Sequence, residues 1–138
     1  MQVHEVAKKH FRRTMAGFML SILISSLTLS VLLPIGVELN VASFLVSAII
    51  YVPYSILMHA TFGLLAYFIL RKYTDFKLWQ VILAGALCGG VCCVILIFSS
   101  IANLSWLWRM VLASVLSSAG SYGLLRASAD DSFAQSKS

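Results

Sequence analysis

His59 is the residue whose type and place could do chemistry. It lies in a run of thirty residues, 41–70, that holds no Asp, Glu, Lys or Arg and stops at Arg71-Lys72. Twelve positions separate it from Arg71, about 18 Å of helix at 1.5 Å per residue. That sets the imidazole near the middle of a bilayer core about 30 Å thick. An imidazole there could relay a proton or respond to pH. Bonded to a hydroxyl of a neighbouring helix, it could equally serve packing alone. Tyr51, Ser55, Gly63 and Tyr67 stand at four-residue steps around it, which predicts a slowly winding polar stripe along one side of a helix. Pro53 falls inside the stripe, removes one backbone donor and predicts a hinge.

The other reactive types carry less. Cys88, Cys92 and Cys93 sit in one apolar run with no C-x-x-C pair, so thiol oxidation of the quinone-coupled kind lacks its motif. Zinc wants four N or S ligands in a tetrahedron, and adjacent Cys92 and Cys93 diverge on a helix. These cysteines read as small buried hydrophobes, and no metal or cofactor is expected. Haem would need an axial partner for His59, yet His4 and His10 lie outside the apolar runs. No carboxylate stands in any apolar run, so neither a Ser-His-Asp set nor an acid–base pair can be assembled. No glycine-rich phosphate loop is present. The chain is expected not to be an enzyme. Glu38 and Arg109, each at the end of an apolar run, form a candidate ion pair.

The elements that must hold His59 follow from composition. Of 138 residues, 60% are hydrophobic and 11% charged, with a mean hydropathy of +0.93. A soluble domain carries about 25% charge, and so small a globule could not hide this much apolar surface. The solvent is therefore lipid. The pattern predicts an all-α bundle of four transmembrane helices, at about 15–37, 41–70, 79–101 and 105–125, arranged as two antiparallel hairpins within one membrane domain, 15–126. Residues 1–14 form a basic amphipathic segment, and the polar tail 127–138 is expected to be disordered. The net charge of +5 is clustered at Lys8, Lys9, Arg12 and Arg13, at Arg71, Lys72 and Lys77, and at Arg126 and Lys137. By the positive-inside rule both termini face the cytoplasm, in a bacterial inner membrane. This distribution already explains the basic balance and gives no nucleic-acid face.

Small residues recur at helical spacing: Gly17, Ser21 and Ser25; Gly85 and Gly89; Ala113, Ser117 and Ser121. Such faces let helices approach closely in lipid. With catalytic motifs missing, the expected function is helix–helix binding to another membrane protein, as an immunity or accessory subunit. The alternative is a small homo-oligomeric transporter or channel, with the stripe around His59 lining its path.

Overall fold

The computed structural model describes residues 2–34, 40–99 and 103–135. All regular structure among them is helical: α1 (Gln2–Leu32), α2 (Val41–Met58), a π-helical turn (His59–Gly63), α3 (Leu64–Tyr73), α4 (Leu78–Phe98), a 3-10 turn (Leu104–Trp106) and α5 (Leu107–Gln135). The segment α2–π–α3 is one rod. Three stretches are long and apolar enough to cross a bilayer: Lys8–Leu32, Val41–Tyr73 and Leu78–Phe98. Helix α5 falls short of them in apolar content, because Ser114, Ser117, Ser118, Ser121 and two glycines dilute it. Those serines are turned to the protein's interior, with Ser117 and Ser121 fully buried.

The molecule is inverted relative to a water-soluble bundle. Among the described residues nine serines are buried: Ser21, Ser25, Ser26 and Ser30 on α1, Ser47 and Ser55 on α2, and Ser117, Ser121 and Ser128 on α5. Its surface carries Phe98 at 87% exposure, Ile49 at 72%, Leu87 at 62% and Phe68 at 57%. Continuous apolar surface on this scale has no stable arrangement in water, whereas lipid solvates it. The interior serines keep their hydroxyls bonded, some to carbonyls one turn back (Ser30 to Ser26 O at 2.7 Å, Ser47 to Ser43 O at 2.6 Å, Ser121 to Ser117 O at 2.9 Å) and others across helices, as Ser25 to Ser55.

The tightest seam joins the first and last helices, α1 and α5, and α4 packs on the other side of α5. Small residues set both seams. A Cβ added at Gly17 would stand 2.7 Å from Leu125 Cδ2, and one at Gly120 would collide with the Ile24 side chain. On the α4 side, Gly85 and Gly89 lie directly against Ser114, Ser118 and the Met110 carbonyl of α5. Helix α2 rests on α1 and makes little contact with α4, so its outer flank, including Leu45, Ile49 and Leu57, stays uncovered. The N-terminal part of α1, the end of α3 and the C-terminal part of α5 meet at one end. There Thr14 and Ser128 hydroxyls bond each other, and Tyr67 O–H reaches Ser128 Oγ at 3.4 Å.

Two sequence expectations are corrected. Residues 2–14 are not a separate segment but the first turns of α1, because no Gly or Pro interrupts the chain before Gly17. The tail is helical as far as Gln135 for the same reason: nothing after Gly123 breaks a helix. Pro53 sits inside α2, and an irregular turn follows it at His59–Gly63.

Candidate functional site

The stripe residues reach the interior because of that π turn. Four-residue steps drift by about 40° each on an α-helix, so the face would wander by roughly 160° from Tyr51 to Tyr67. A π turn holds one extra residue and takes back about 100° of this drift. Tyr51, Ser55, His59, Gly63 and Tyr67 thus all border the bundle's inner spaces. Tyr51 O–H donates to Leu33 O at 2.6 Å and pins α2 to the end of α1. Tyr67 is 4% exposed.

His59 is bonded at both ring nitrogens. Nδ1 lies 2.8 Å from Ser55 O; a carbonyl only accepts, so Nδ1 carries the hydrogen. Nε2 lies 2.8 Å from Ser21 Oγ and 3.2 Å from Ser117 Oγ. The two hydroxyls are 2.5 Å apart, and Ser117 Oγ is 2.8 Å from Ser21 O. This ladder is complete with either charge state of the ring. With neutral imidazole, Ser21 O–H donates to Ser117 Oγ and Ser117 O–H to Nε2. With imidazolium, Nε2–H donates to Ser21 Oγ, Ser21 O–H to Ser117 Oγ and Ser117 O–H to Ser21 O. Only the Ser117 hydroxyl has to turn.

Space lies on both sides of the ring. Toward the basic end is a cavity of about 90 Å³, bordered by Phe18, Tyr67, Cys88, Ser114, Ser118 and Ser121 among others. Toward the Trp106 end is one of about 30 Å³ between Ser25, Ser55, Met58, Cys92 and Met110. A water occupies roughly 30 Å³ of liquid, so the first has room for a few waters and the second for one. Beyond it an apolar vestibule of about 270 Å³ runs to Leu33 and Trp106. No Asp, Glu, Lys or Arg borders any of these three spaces among the described residues.

Phe76 borders the larger cavity at its basic end, which the sequence did not foretell, since it sits in the charged connection RKYTDFK. Its backbone is left-handed, φ 54°, an unfavourable conformation for a bulky L-residue. What holds it there is burial to 3% exposure, stacking on Tyr122 with centroids 6.5 Å apart, and an edge contact with Tyr67 at 5.7 Å. Phe76→Ala should therefore open the larger cavity. The expected result is at least a tenfold faster reaction of Cys88 with a water-soluble maleimide, read by mass spectrometry. An unchanged rate would mean that Phe76 does not seal this cavity.

The small-residue faces singled out from the sequence are consumed within the chain. Gly17 meets Leu125, Ser21 meets Ser117, Ser25 meets Ser55 at 3.3 Å, and Gly85 and Gly89 meet α5. Ala113 is buried in the same interior. Glu38 lies outside the described residues. Arg109 places its guanidinium 5.3 Å from the Trp108 ring, and its Nε has no hydrogen-bond partner among the described residues. Among those residues no three His, Cys, Asp or Glu side chains gather as metal ligands. The sequence reading also overlooked Ser26, Ser30, Ser47 and Ser128. Ser26 and Ser30 extend the buried side of α1 that Ser21 and Ser25 mark, and that continuation was the available signal.

Three helices long and apolar enough to cross a bilayer, around a serine-lined interior, are compatible with a multi-pass membrane protein. No protein-family model, curated protein or solved structure matches the chain.

Proposed function

We propose that this protein is a four-span membrane protein with both termini on the cytoplasmic side, and that it conducts protons, or couples their movement to transport, through its interior past His59. The observation that carries the reading is the His59–Ser21–Ser117 ladder. It satisfies neutral and protonated imidazole alike and sits between two spaces of water size. A residue serving packing alone needs one such arrangement, not two. The dimensions favour a proton over a larger solute, because the 30 Å³ space beside His59 passes nothing much bigger than a water.

Counting α5 as the fourth span is supported by its packing against both α1 and α4. The cytoplasmic assignment rests on the basic clusters around residues 8–13 and 71–77. Recognition of another membrane protein through the small-residue faces loses its main support, since those faces are occupied within the chain. A partner or a second copy would have to use the uncovered flank of α2.

The test is proton flux in proteoliposomes carrying the full chain and an internal pH dye. The wild type should collapse an imposed pH gradient at least tenfold faster than empty liposomes, and His59→Ala should return the rate to that of empty liposomes. A wild-type rate equal to the empty control, or a His59→Ala rate equal to wild type, rejects the proposal.

A further inference from the structure

We infer that Met58, Cys92 and Met110 form a binding site for a soft monovalent metal ion, Cu(I) being the physiological candidate, in the small cavity beside His59. This goes beyond conduction and fails separately from it, because equilibrium binding needs no flux.

Three sulfur-bearing residues from three helices line one small space: Met58 at the end of α2, Cys92 on α4 and Met110 on α5. Met58 Sδ and Cys92 Sγ are 3.1 Å apart. All three residues border the same space of about 30 Å³. Cys92 and Met110 are each 5% exposed. Cys93, fully buried, belongs to the same cluster. With metal–sulfur bonds of about 2.3 Å, two sulfurs 3.1 Å apart subtend roughly 85° at a shared ion. A trigonal site needs nearer 4 Å, about 1 Å more, which the flexible methionine side chain supplies.

The ligand chemistry selects the ion. Thioether and thiolate sulfurs are soft donors that favour Cu(I), while no carboxylate borders this space among the described residues to hold Mg²⁺ or Ca²⁺. Charge selects it again. On binding, the Cys92 S–H bond breaks, its proton leaves to water, and a thiolate–Cu(I) bond forms with no change of oxidation state. One negative thiolate and one monovalent cation leave the interior neutral. A divalent zinc ion would leave one positive charge uncompensated in a low-dielectric interior and would lack a fourth ligand. His59 borders the cavity but is not counted as a ligand, because both its nitrogens are engaged by Ser55, Ser21 and Ser117.

The experiment is an anaerobic titration of the purified full chain in nanodiscs with Cu(I), against a chromophoric Cu(I) chelator. One Cu(I) per chain should be retained, and X-ray absorption should show sulfur-only first-shell scattering. Cys92→Ser should weaken binding by roughly a hundredfold or more, Met58→Leu and Met110→Leu each by about tenfold, and Cys88→Ser should leave it unchanged. The methionine substitutions conserve volume, so matching thermal midpoints separate lost binding from lost fold. No retention against the chelator overturns the site. So does Cys88→Ser weakening binding as much as Cys92→Ser, which would mark non-specific thiol capture.

Discussion

Gly89→Leu is expected to leave little folded protein, whereas Gly90→Leu, one position along, is expected to be harmless. A Cβ at Gly89 would stand 2.6 Å from Ser114 Oγ and 2.9 Å from the Met110 carbonyl oxygen. The second neighbour is backbone and cannot rotate away, so α4 must lift off α5. Overpacking of this kind costs about 1–3 kcal/mol even where the surroundings partly adjust, and here the displaced seam also borders His59's cavities. At Gly90 nothing lies within 4 Å of an added Cβ. Leucine there faces lipid and improves helix propensity by roughly 0.8 kcal/mol. Thermal melts followed by size exclusion in mild detergent read both variants. Equal behaviour of the two would show that α4 and α5 do not meet through this face.

His59→Leu should separate function from stability. The proton flux expected of the wild type should fall at least tenfold, while the thermal midpoint moves by only a few degrees. The polar groups that His59 leaves behind keep partners: Ser21 O–H still reaches Ser117 Oγ, and Ser117 O–H still reaches Ser21 O. Ser55 O retains the backbone N–H of residue 59. No buried group is orphaned, so the usual penalty of about 1–3 kcal/mol for an unsatisfied partner does not arise, and leucine is at home in an apolar bundle. A shift of about 1 kcal/mol corresponds to roughly 4–8 °C in a domain of up to 100 residues and less in a larger one. Full flux per folded molecule, together with a large loss of stability, would make His59 a structural residue.

All-helical structure and helices long and apolar enough to cross a bilayer were legible from composition and spacing alone. They depend on local quantities: the length of uncharged runs, the rise of a helix and the places where basic residues cluster. The small residues at 17, 21, 85, 89, 113, 117 and 121 could likewise be read as contact points, because only small side chains permit close helix approach. Which helix each would meet was not legible, since small faces are mutually compatible. Tertiary structure paired α1 with α5 and α4 with α5, turning supposed partner surfaces inward. It also placed a π turn at His59–Gly63, carried α5 on to Gln135, and folded Phe76 out of a charged connection into the core. The ladder at His59 and the sulfur cluster beside it join residues more than thirty positions apart. Periodicity assigns a residue to a face of its own helix, and only packing decides what stands opposite.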